Sequence, residues 1–158
     1  MTDLTASKIR TYHGAPDHEI EWPMAANTQL FGGAALMMAA ATGYAANCTP
    51  TAAGVFLGFA WNERDNRTGS VLGGGNADAR ITTRQRGRVS LTVARASSTF
   101  VLTDVGTTVY ASDGDTFTTS AGTNNIPIGK IAAVPAAAVG AASAELVVDF
   151  EATSLRSL

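Results

Sequence analysis

The chain has 158 residues and a formal net charge of −2; 15% of the residues are charged, 46% hydrophobic and 7% aromatic. That length suits one domain or two small ones, and the charge balance excludes a strongly basic nucleic-acid binder. A single cysteine, Cys48, excludes an internal disulfide framework and a cysteine-based zinc site.

Sixteen glycines, abundant threonine and an apolar fraction built largely from alanine favour short strands and turns. Residues 1–17 are mixed and polar and read as an extended N-terminal arm, followed by a single β domain over 18–158. The start Met1-Thr2-Asp3-Leu4 lacks a basic region followed by an apolar one, so no signal peptide is expected. Every apolar run is interrupted well short of the roughly 20 residues of a membrane span. His18 to Met24 alternates as a half-buried strand, with Pro23 placing it near an edge. Leu30 to Met38 bends at Gly32-Gly33 and then continues as a strand. Ala39 to Gly43 forms a hairpin loop, and Val55 to Trp61 is apolar on both parities, as in a strand covered on both faces.

Glu63 to Asp78 is polar and holds Gly73-Gly74-Gly75, which predicts a long contact loop. Ala79 to Ala94 alternates with period two. The two stretches either side of Gln85-Arg86-Gly87 predict a strand pair with one wet face. Further strands are expected at Phe100–Leu102, Thr107–Ala111, Thr116–Thr119, Ile126–Val134 and Leu146–Phe150, with turns at Asp113-Gly114-Asp115 and Gly122–Asn125. Pro135 to Ser143 is alanine-rich and only marginally helical. Two segments, about 30–61 and 103–134, echo each other: a strand, a glycine turn, a loop, then a strand carrying Leu57-Gly58-Phe59 or Ile128-Gly129-Lys130. Such half-units suit a pseudo-symmetric barrel or sandwich.

Catalytic arrangements fail on spacing. His13 and His18 both lie in the polar N-terminal region, and Cys48 has no basic neighbour in the sequence, as a nucleophile would need. His13, Asp17 and His18 match no tight metal motif, and Asp113-Gly114-Asp115 lacks the further oxygen ligands of a calcium loop. Gly129-Lys130 has the wrong context for a phosphate loop. No catalytic, metal or cofactor-binding residue is therefore assigned, and an enzyme is not expected.

One feature stands out. Seven of the eleven basic residues lie between Arg64 and Arg95, and all seven are arginine. Arginine suits protein interfaces, because it pairs with carboxylates through two parallel bonds and is weakly hydrated. Aromatic residues for base stacking are absent among them. Arg80, Arg84, Arg86 and Arg88, with Trp22, Trp61 and Tyr12 as aromatic anchors, are the candidate interface residues.

The second half carries a family resemblance. Val109-Tyr110 after a glycine, the turn Asp113-Gly114-Asp115, a loop with Gly122, then Ile128-Gly129-Lys130-Ile131 and a terminal strand Ala144–Phe150 resemble the small capsid decoration (cement) proteins of tailed bacteriophages. Leu36, Gly43-Tyr44 and Phe56–Phe59 fit the same pattern. The resemblance covers roughly residues 30 to 151. It implies an all-β, mainly antiparallel fold, a small tulip-like barrel or sandwich with an N-terminal arm reaching over neighbours. It further implies a non-enzymatic structural protein on the outer surface of a phage capsid. The partners it implies are the major capsid protein and sister copies in a homotrimer, with no cofactor, nucleic acid or membrane. The protein would be made in the host bacterial cytoplasm and carried on the virion. The alternative reading is a small β-sandwich module that binds carbohydrate or another surface ligand.

Overall fold

A computed structural model describes residues 4–14 and 17–153. Residues 1–3 and 15–16 of the expected arm, and 154–158 of the expected domain, lie outside that description. The elements are β1 (Asp17–Pro23), β2 (Thr28–Leu30), β3 (Ala35–Ala39), β4 (Ala45–Asn47), β5 (Gly54–Ala60), β6 (Arg64–Asn66), β7 (Arg80–Ala94), β8 (Thr108–Ala111), β9 (Phe117–Thr118), β10 (Ile126–Ala133) and β11 (Ser143–Glu151). Two short 3-10 turns lie at Leu102–Asp104 and Ala136–Ala138. The fold is all-β, a closed five-stranded barrel with outer strands. Around the barrel the order is β7, β11, β10, β8, β9 and back to β7. Only the last contact, β9 on β7, is parallel.

β7 is the spine. The expected hairpin at Gln85-Arg86-Gly87 is instead one strand of 15 residues. The physical reason is parity. Ile81, Thr83, Gln85, Val89, Leu91 and Val93 are all odd-numbered and all buried, so the inward face runs through the supposed turn without a break. One edge of β7 pairs β1 along Arg80–Arg86 and then β11 along Arg86–Ala94. The other edge takes β5, then the arm residues Thr11–His13, then β9. Two other expectations change. Phe100–Leu102 is not a strand, because Asp104 caps the Leu102–Asp104 turn by accepting the Val101 backbone N–H. The 63–78 segment is not all loop, because Arg64–Asn66 pairs β2.

The two echoing segments share one register. In β3–β5, Leu36 faces Gly58 and Met37 faces Phe56, leaving Leu57 as the extra residue of a bulge. In β8–β10, Val109 faces Gly129 and Tyr110 faces Pro127, leaving Ile128 as the extra residue. Each first strand also pairs a short hairpin partner, β4 or β9. Each bulge glycine lies against the next strand: a Cβ on Gly58 would collide with the Arg84 carbonyl, and one on Gly129 with the Asp149 carbonyl. Glycine is required there because a neighbouring backbone occupies the place of a side chain.

The larger core fills the barrel. Phe59 of β5 meets Phe150 at 4.9 Å, Phe56 at 5.6 Å and Phe117 at 6.0 Å between ring centroids, each edge to face. Three strands from different parts of the chain are joined by these rings. A second cluster, around Met24, Leu30, Leu36, Leu57 and Ile81, lies under β1–β3.

Candidate functional site

The arm is built into its own domain. Lys8 donates its backbone N–H to Gly32, Thr11 accepts from Ser90, and His13 donates to Arg88. In this extended stretch Lys8, Arg10 and Tyr12 share one parity; Arg10 is buried, Tyr12 half-buried and Lys8 exposed, while Ile9 on the other parity stands 98% exposed. The Arg10 Nε donates to the Gly33 carbonyl, its guanidinium bonds Asp115 at 2.7 Å, and it lies between the rings of Phe59 and Phe117. Burial holds its pKa below the usual guanidinium value, against the opposing pull of Asp115. Lys8 reaches the same Asp115 carboxylate at 3.0 Å.

Asp115 is in position because Asp113 shapes its turn. Asp113 is buried, and its Oδ1 accepts the backbone N–H of both Asp115 and Thr116. The turn seats beside Cys48, whose thiol is fully buried. Burial, with the Asp113 charge adding to it, pushes that thiol far up and makes it a poor nucleophile.

The candidate interface arginines have mixed fates. Arg84 is stacked 3.3 Å from the ring centre of Trp61 and 4.5 Å from that of Tyr12, with Glu19 3.9 Å away. Its side chain is only 13% exposed, so it serves internal packing before any partner. Tyr12 is half-buried against Phe150, and burial raises its phenol pKa while Arg84 and Arg10 pull it back. Trp22 donates its indole N–H to the Thr83 hydroxyl, which donates in turn to the Leu57 carbonyl. Arg88 is exposed and bonds Asp149 at 2.7 Å. Arg86 is exposed, faces Glu151 across the sheet and approaches His18. Arg80 is exposed at the start of β7, and Trp61 is half-exposed after β5.

Across β7, β11, β10 and β8 the register sets Arg88, Asp149, Lys130 and Thr108 in one outer row. This row and its neighbours Arg86, Glu151 and His13 line an open cavity of about 790 Å³. Its charges alternate, so the arginine ribbon is largely compensated by acids of the same chain. Among the described residues, no three His, Cys, Asp or Glu side chains come together as a metal site.

Neither a protein-family model, nor a curated protein, nor a solved structure matches the chain.

The residues that sequence reasoning missed are Arg10 and Asp115. The alternation Lys8, Arg10, Tyr12 was a visible signal, but the inward side is polar and the outward side carries Ile9, the reverse of the ordinary pattern. Exposed apolar side chains also gather at one end of the barrel. Val101, Leu102 and Val105 lie on the segment after Phe100, and Val139 lies on the loop that bonds the Phe100 backbone.

Proposed function

We propose that this chain is a non-enzymatic structural protein of a tailed-phage virion, which binds the outer surface of the assembled capsid and stabilises it. The observation that carries this reading is where the resembling motifs fall. Val109-Tyr110, Ile128-Gly129-Lys130 and the terminal strand lie on β8, β10 and β11, three adjacent barrel strands. That the motifs behind the resemblance sit on neighbouring strands supports this reading. The exposed apolar group at the barrel end (Val101, Leu102, Val105 and Val139) supports an interaction role, because such groups mark binding surfaces.

The mechanism is mass action. A protein that binds the closed shell and not its dissociated subunits adds its binding free energy to shell stability. Association with sister copies, a homotrimer in this reading, multiplies modest single contacts into firm attachment. A specific contact needs about 800 Å² per partner. Arg80 and Trp61 are the interface candidates best placed to contribute, because Arg84, Tyr12 and Trp22 are engaged in internal packing.

Co-sedimentation of the purified protein with expanded shells of the phage that encodes it tests the proposal. Saturable occupancy with a raised shell melting temperature is the expected result. Shells that sediment without the protein, across a range of concentrations and salt, would refute it.

A further inference from the structure

β1 is paired on one side only. It lies along β7, and among the described residues no strand takes its other edge. That edge presents open backbone groups. Met24 donates to the Ala79 carbonyl, so in the same register Trp22 and Ile20, opposite Ile81 and Thr83, also bond β7. Glu19 and Glu21 fall between them and turn their N–H and C=O groups outward. The spine shows the same phase: Thr82, opposite Glu21, accepts the Trp61 N–H on its far side, away from β1. We propose that the free edge of β1 docks an added strand, an extended basic segment of a partner protein with Lys or Arg at alternate positions.

The edge supplies the ladder, since a row of unpaired N–H and C=O groups is a template for another chain. The side chains select the occupant. Glu19, Ile20 and Glu21 are all exposed, Ile20 by 41%. The two glutamates share one face of the strand and Ile20 takes the other. Glu19 stands 3.9 Å from Arg84, beyond hydrogen-bond reach, and Glu21 makes no ion pair among the described residues.

A second copy of β1 fits badly. Antiparallel pairing about a twofold centred on Glu19, Ile20 or Glu21 sets carboxylate against carboxylate, and like charges directly opposite each other destabilise a ladder. Alternating cations reverse that sign, and an apolar residue between them covers Ile20. The segment is short. His18 has a left-handed φ of 58° and Pro23 has no N–H, so regular pairing is confined to the residues between them. Docking on this edge stands independently of capsid binding.

The test titrates the full chain with acetyl-Lys-Val-Lys-Val-Lys-amide; the same peptide with Glu or with Ser in place of Lys is the control. The expected result is saturable binding of the basic peptide, with slowed hydrogen exchange at the Glu19 and Glu21 amides and no change at Ile20 and Trp22, which already bond β7. Glu21→Lys should weaken the basic peptide about tenfold and strengthen the acidic one, because an attractive cross-strand pair becomes a repulsive one. Glu21→Pro removes an outward N–H and no bond to β7, so it should abolish binding while the protein stays folded. If Glu21→Pro does not fold, Glu21→Lys carries the decision. No saturable binding of the basic peptide, equal binding of all three peptides, or affinity unchanged in Glu21→Lys overturns the proposal.

Discussion

Removing the Asp115 carboxylate should loosen the arm by an amount the structure lets one work out. In Asp115→Ala the Arg10 guanidinium keeps its bond to the Gly33 carbonyl and its place between Phe59 and Phe117, but loses its anion. Stripping one partner from a fully buried pair costs about 3–5 kcal/mol, because the remaining charge is left uncompensated. Here the Arg10 side chain is 3% exposed and that of Asp115 22%. Water can therefore reach the site and lower the cost, while the contacts with the two rings are the same in parent and variant and cancel in the difference. The expected loss is about 2–3 kcal/mol, and loss of the exposed Lys8 contact adds less than about 1 kcal/mol. With an m-value of about 2 kcal/mol/M, the urea midpoint should fall by about 1 M. Arg10→Met in the Asp115→Ala background should recover most of that loss, because an apolar side chain of similar length needs no counter-ion. Equilibrium urea unfolding followed by circular dichroism reads both variants. A midpoint for Asp115→Ala within error of the parent, or a double variant no better than the single, would show that the buried pair does not hold the arm.

Three further outcomes follow from the same packing. Gly129→Ala should destabilise the barrel by about 2–3 kcal/mol through overpacking against the Asp149 carbonyl, whereas Gly43→Ala meets no neighbouring atom and should cost less; thermal melts of the two variants compare them. Cys48 should resist a thiol reagent in the native protein and react fully in urea, since the thiol is buried and its pKa raised; rapid native labelling would contradict the core placement. Asp104 accepts the Val101 N–H and bonds Arg95, which holds its carboxyl below the ordinary value. A depressed carboxyl pKa contributes stability that is present above the unfolded value of about 3.9 and is lost as pH falls through the folded value. Urea midpoints below about pH 4 should therefore decline less steeply in Asp104→Asn than in the parent.

The charged ribbon shows how a correct local reading can still mislead about partners. Period-two alternation placed Arg80, Arg84 and Arg88 on one polar face of a strand pair; in the structure they share the outer face of β7 together with Arg86, the Arg84 side chain being mostly covered. Alternation says which face a side chain takes, but not which strand lies alongside. β11 comes in from residues 143–151 and brings Asp149 and Glu151 opposite Arg88 and Arg86, while β1 brings Glu19 to Arg84. A basic run in the sequence thus becomes a compensated surface through pairings across 60 residues or more.

Local rules were enough for the all-β class and for most strands, because side-chain alternation and turn chemistry depend on immediate neighbours. The hairpin expected at Gln85-Arg86-Gly87 does not form, because the buried odd-numbered positions continue unbroken past Gly87 and keep β7 one strand. What tertiary structure alone decided was closure of the barrel, the burial of Arg10 with Asp115 and the stacking of Arg84 between Tyr12 and Trp61. These depend on segments far apart in the chain meeting at one place, where a buried charge becomes tolerable only because its partner and the surrounding rings arrive with it.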